Sequence, residues 1–390
     1  MLGYICIAVV VAAAAVSSAA AKSVFPMPQL TSGCSTTAVR RDITTLAPAE
    51  LQRFIHVVHE MHRRGWMDGF GSMHDHISHQ VHGNDQFFAW HRRFLRHFEV
   101  LMQEIDPDVV LPYWNWATYW QNPLADPVLG ASYFGGNGRA GDSCVVDGAM
   151  ARWGRNYPTR SCLTRKYRYG TSTGSFWPMR AVRDVMNTSK SHAQFRSRIE
   201  NGAHGIVHLG LGGDFETMWA PVDVLFFLHH ATIDKVWAEW QSRDQQRFHE
   251  VDGFDSARQP VTAKSIMPFY GEEVGTTLLT SGPGYCYVYD DVPSPPAFFK
   301  TMRRRGVQPA FYAPPDQAAA AAAPDSDYGA FGRLANVSAP VADFAPPQPM
   351  DPSWLRSMNY DLKEAARMQR LVSSVVAQIN AERKETPKST

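Results

Sequence analysis

The chain has 390 residues, 44% of them hydrophobic and 12% aromatic, with a formal net charge of +1 at pH 7. That length supplies two average domains, or one large domain with appendages, and enough apolar side chains for a sizeable core. A near-neutral balance leaves no electrostatic footprint for nucleic acid or an acidic membrane surface, so neither is expected as a partner.

Residues 1–21 form an apolar run ending in small residues, and Ala19 and Ala21 supply an A-x-A cleavage pattern ahead of Lys22. A signal peptide over 1–21 and a secreted, extracellular protein are expected. No basic residue precedes the run, so an uncleaved membrane anchor is the alternative. After cleavage Cys34, Cys144, Cys162 and Cys286 remain, an even number suited to disulfides in an oxidising compartment. Cys144 and Cys162 bracket one Gly- and Arg-rich loop and are expected to pair, which by elimination joins Cys34 to Cys286. Asn187 and Asn336 open sequons and are candidate glycosylation sites.

Pro48 to Arg64 reads as an amphipathic helix with an apolar stripe of Leu51, Phe54, Ile55 and Val58. The stretch GWMDGFG that follows predicts a break. A second helix is expected from Ala89 to Glu104, stopping before the pair Asp106-Pro107. Val109 to Trp120 is extended and aromatic, and Gly, Pro and Asn then predict a long ordered loop region to about Pro178. Two short helices are expected at Ala193–Glu200 and Gly202–Leu209. Leu225 to Gln241 is apolar on nearly every side, as a helix buried within a bundle should be. The segment YCYVYDD closes the core domain, which is expected to span 22–292. A Pro- and Ala-rich linker at 293–350 then leads to a helical extension at 351–390, where Leu355, Met358, Leu362, Leu371, Val375 and Ile379 recur at helical spacing.

Two groups of histidines stand out. His204 and His208 are four apart, so on a helix both imidazoles project from one face. His230 lies on the apolar helix and shares a face with Phe226, Ile233 and Trp237. Its neighbour His229 is turned about 100° away and is read as structural. In the first half His91 shares a face with Phe94, Leu95 and Phe98, and His82 sits in the loop just ahead. His74, His76 and His79 compete for a third position, and spacing does not choose among them. Three neutral nitrogen donors suit copper, and two such sets could hold a pair of ions with dioxygen between them. Zinc is the chemical rival, but no H-E-x-x-H element is present.

With these residues in view, the chain resembles the tyrosinase and catechol-oxidase family of type-3 copper proteins, whose site is shared with molluscan haemocyanin units. The likeness runs from about Leu51 to Asp290. FFAWHRRFLRHFE is similar to the family's first-copper signature, and DVLFFLHHATIDKVWAEWQ to its second. The resemblance selects His74 beside His82 and His91 as ligands of one copper, and His204, His208 and His230 for the other. It implies a mainly α fold, with a four-helix bundle core housing a dinuclear copper site, long disulfide-pinned loops and a C-terminal helical extension. It also implies Phe226 as an aromatic over the site, Asp234 paired with Arg92 across two ligand helices, and Glu200 as a general base acting through water. Three positions depart from the family pattern. Gln80 stands where many relatives carry a cross-linked cysteine, Asp223-Val224 replaces Asp-Pro, and Gly205 stands where monophenol-competent members often have Asn. The implied activity is oxidation of o-diphenols to o-quinones with O2, with monophenol hydroxylation as a further capacity. The alternative is a non-enzymatic dioxygen-binding protein, and a C-terminal extension that masks the site is a further expectation.

Overall fold

The computed structural model describes residues 25–30, 33–34, 36–293 and 342–385. The expected signal peptide, most of the expected linker and the Asn336 sequon lie outside the described residues. Helices dominate, and the histidine-bearing ones form the bundle around the centre.

Helix α1 spans Pro48–Arg63, opening on a proline and on Glu50, whose carboxylate accepts the Ala47 N–H at 2.8 Å. It ends because Gly65 takes a left-handed φ of 75°. Helix α2, Trp66–Val81, starts immediately, so the expected break over GWMDGFG shrinks to that one glycine. Gly69 and Gly71 are packing notches inside α2. A Cβ on Gly69 would lie 2.3 Å from the Phe25 ring, and one on Gly71 would lie 2.7 Å from Val222. The first candidate ligand, His74, therefore rides on a helix rather than following a loop. Helix α3, Phe87–Ile105, extends the expected one at both ends.

Between α3 and the next helix the chain is irregular. A two-residue antiparallel pair, β2 (Gly154–Arg155) with β3 (Ser161–Cys162), is tied by the Cys144–Cys162 disulfide. The short strand β1, Ala38–Arg40, pairs in parallel with β4, Tyr287–Tyr289, beside the Cys34–Cys286 disulfide. Both expected disulfides are thus present, and the second closes a 252-residue span that limits the freedom of the unfolded chain.

Helix α4, Met179–Thr188, was not legible as a separate element, although Ala181, Val182, Val185 and Met186 form its buried stripe. Asn187 is exposed in its last turn, where its side-chain oxygen accepts from Arg243. The two short helices expected next are one continuous path: α5 (His192–Ile199), a π-helical turn over Glu200–His204, and α6 (Gly205–Leu211). Helix α7, Val224–Ser242, is buried on nearly all sides. Its cap is Asp223, which accepts the Leu225 N–H at 3.0 Å and pairs with buried Arg165 at 2.7 Å. That double use fixes the first turn of the helix against the loop that carries Arg165.

The C-terminal segment is two helices rather than one. Helix α8, Pro352–Ser357, stops at Asn359, whose φ is +58°, and α9 runs Leu362–Glu385. Met368, Val372, Val375, Val376 and Ile379 of α9 join the main core, while Leu355, Met358, Tyr360 and Ala365 make a small cluster of their own. Among the described residues no helix is long and apolar enough to cross a membrane.

Candidate metal centre

Helix α2 turns His74 inward and leaves His76 and His79 exposed. His82 caps the end of α2, and His91 lies in the first turns of α3. His74 Nε2 and His91 Nε2 are 3.3 Å apart, and the His82 ring is 4.9 Å and 5.0 Å from the other two. On the opposite side His204 closes the π-helical turn and His208 follows on α6. Their Nε2 atoms lie 3.2 Å and 3.3 Å from His230 Nε2 on α7. The triads face one another, for His91 stacks on His230 at 4.6 Å and 15°. His229 belongs to the second cluster by proximity. Its ring stacks on His204 at 5.4 Å, however, and stays out of the 3.2–3.3 Å Nε2 contacts that join His204 and His208 to His230. His97, on the far side of α3, is buried and bonds the Pro26 carbonyl.

None of the six rings exceeds 3% exposure, so burial sets their charge state. Desolvation pushes His74 and His82 down to about 3 and His208 to about 4, against an ordinary 6.5. His91, His204 and His230 are held well below that value by the same cause and by the neighbouring rings. Six neutral imidazoles therefore converge, with no thiolate or carboxylate in either cluster. Buried nitrogen lone pairs this close together are costly unless something occupies the space between them, and the donor set fits two copper ions.

Each ring is harder to protonate folded than unfolded, so unfolding takes up protons below pH 6.5. Copper-free stability is expected to fall as pH drops from 6.5 towards 3. Glu200 and Asp126, pushed up by burial to about 7 and about 6, work in the opposite direction, while buried His97 and His192, lowered to about 3 and about 4, add to the effect of the six rings. The denaturation midpoint of copper-free protein should be lower at pH 5 than at pH 7. An equal or higher midpoint at pH 5 would contradict this charge assignment.

The surroundings hold the rings in place. Nδ1 donates to the carbonyl of Met218 from His74, of Ser78 from His82 (3.0 Å), of Phe87 from His91 (2.8 Å) and of Phe215 from His208 (2.7 Å). Such outer contacts fix the tautomer that leaves Nε2 free for a metal. Phe226 stacks on His230 at 4.0 Å and meets His74 edge-on at 5.1 Å. Arg92 of α3 pairs with Asp234 of α7 at 2.5 Å, and Tyr287, Tyr289 and Arg40 also donate to Asp234. The tyrosines of the closing segment thus lock the two ligand helices from behind. Glu200 accepts the Gly83 N–H and an Arg196 N–H, both at 2.8 Å, and Arg196 also binds Asp85 at 2.9 Å. That relay joins the loop after His82 to the helix before His204.

Sequence reasoning missed Arg196, a buried guanidinium held between Asp85 and Glu200. It also missed Asn359 and Tyr360. Tyr360 Oη lies 2.8 Å from His204 Nδ1, and Asn359 donates to the His82 carbonyl at 3.1 Å. The polar stretch Asn359-Tyr360-Asp361 marks a break in the helical spacing, but nothing in it points to His204 or His82.

Two all-imidazole triads set face to face within a helical bundle define a protein built for a dinuclear copper centre. Residues 52–243 match the common central domain of tyrosinase. A tyrosinase from Streptomyces antibioticus is 33% identical over 230 residues, spanning 53% of this chain and 83% of that protein. The chain belongs to the tyrosinase family. It is also 30% identical over 261 residues to grixazone synthase from Streptomyces griseus, covering 53% of this chain and 84% of that one. In structure it is similar to a polyphenol oxidase from Thermothelomyces thermophila, with a TM-score of 0.56 at 19% identity over 65% of this chain and 88% of the other.

Proposed function

We propose that this protein is a secreted copper-dependent phenol oxidase that converts o-diphenols to o-quinones with dioxygen. Two catechols and one O2 give two quinones and two waters, so protons and electrons balance without a further reductant. The convergence of six neutral, buried Nε2 donors carries the reading, and kinship to proteins named tyrosinase supports a phenolic substrate. A bound copper pair supplies the redox chemistry. His74, His82, His91, His204, His208 and His230 would hold it. The chain's other residues position and insulate: Phe226 sets an apolar ring against His230 and His74, and Asp234 with Arg92 fixes the spacing of α3 and α7.

Glu200, a carboxyl that titrates near neutrality, is suited to take a phenolic proton through water. For monophenols the side chain that would share such a water is absent at Gly205, so diphenol oxidation is the principal activity.

With the C-terminal segment in place the centre is closed. Trp354 of α8 donates to the Glu216 carbonyl at 2.9 Å, and the Leu355, Met358 and Tyr360 cluster packs on Met218. A dioxygen carrier would share that shielding, and catechol turnover separates the two. Leu355→Asp should loosen α8 while leaving α9 in the core, raising catechol turnover about tenfold, or about 1.4 kcal/mol, when copper is kept saturating in the assay. Absence of catechol oxidation in both the parent and this variant would overturn the oxidase reading in favour of a carrier.

A further inference from the structure

Five of the six candidate ligands have a hydrogen-bond partner on Nδ1, and in four cases it is a backbone carbonyl of the catalytic core. His230 Nδ1 has none among the described residues. His204 is the exception in kind, because its partner is the phenol of Tyr360, delivered by the C-terminal segment. With Nε2 directed at a metal, a neutral imidazole carries its proton on Nδ1 and donates it to Tyr360 Oη.

The approach is prepared on both sides of the centre by glycine. Gly205 follows His204, and a Cβ there would stand 2.8 Å from the Tyr360 ring and 3.0 Å from Met350 Sδ. Gly83 follows His82 with φ +67°, and a Cβ there would stand 2.2 Å from the Asn359 carbonyl oxygen. Two consecutive residues, Asn359 and Tyr360, thus fill notches beside one ligand of each triad. The left-handed conformation of Asn359 ends α8 and turns the chain so that Tyr360 points inward beside His204, where it is 5% exposed. Asp361 then bonds back to Asn201 at 2.7 Å, clamping the turn at both ends.

We propose that Tyr360 is a positioning residue for the second copper, fixing the tautomer and orientation of His204, and that Gly205 is small in order to admit its ring. The C-terminal segment is then a working part of the metal site as well as its cover. This rests on His204 as a copper ligand, and it does not depend on which phenol is oxidised.

The test follows copper rather than turnover. Copper-saturated protein is mixed with excess chelator, and release is timed for the parent and for Tyr360→Phe, which keeps the ring and removes the hydroxyl. The expected result is that about half the copper leaves 10–100-fold faster in the variant while the rest leaves at the parent rate. The thermal midpoint of the copper-free variant should stay that of the parent. Gly205→Ala is the second variant, crowding the ring without altering it, and should shift the same fraction in the same direction. Release in Tyr360→Phe at the parent rate, or uniform acceleration of all the copper, would overturn the proposal. A parent chain that binds no copper would overturn the centre itself.

Discussion

Replacing His230 with alanine is expected to remove about half of the bound copper and abolish oxidase activity, whereas His229→Ala retains most of both. The adjacent rings differ in what they face. His230 Nε2 lies within 3.3 Å of both other nitrogens of its triad, and its ring stacks against His91 of the opposite triad. His229 stands behind His204, against Trp116 and Phe215, with ring centroids 6.2 Å away in each case. Truncating it removes a buried ring that makes none of the 3.2–3.3 Å nitrogen contacts of the triad. Metal analysis of the two purified variants decides the matter, and copper lost from His229→Ala but kept by His230→Ala would reverse the assignment.

The second large effect lies outside the donor set. Asp234→Ala should cost about 3–5 kcal/mol, because it strands the Arg92 guanidinium in the core and takes from Arg40 one of its two carboxylates. Arg40 and Arg92 are both fully buried, and Asp234 is only 4% exposed. Arg40 keeps Glu99 at 2.9 Å, but Asp234 is the one carboxylate that pairs with Arg92 among the described residues. The hydroxyls of Tyr287 and Tyr289 would lose their acceptor as well. The thermal midpoint should fall by about 5–8 °C. Asp108→Ala is the contrast: its ion pair with Arg53 is exposed, and the change should stay within about 0.5 kcal/mol. Equal small shifts in the two variants would show that the buried network does not brace the ligand helices.

What the sequence made legible was whatever repeats or has a fixed spacing. The i, i+4 pair His204/His208 and the all-apolar helix around His230 follow directly from helical geometry, and the two disulfides follow from cysteine position. Glycine misled in one direction: Gly69, Gly71 and Gly202 resemble breaks, yet each sits in a helix where a neighbouring side chain needs the room. Helix α4 escaped because only ten residues, with a single buried stripe, separate it from irregular chain. Tyr360 was out of reach for a different reason. Its partner His204 is 156 positions away, and nothing local distinguishes a tyrosine that caps a ligand from one that merely ends a helix. Gly205 was legible as a missing side chain. That the vacancy is filled from the far end of the chain emerges only in three dimensions.

The whole account stands on two metal ions lying between opposed sets of imidazoles. Crystals of copper-loaded protein, measured at the copper absorption edge, give the most direct check. Two strong anomalous peaks are expected, one among the Nε2 atoms of His74, His82 and His91 and one among those of His204, His208 and His230. A single peak, or peaks elsewhere in the molecule, would contradict it.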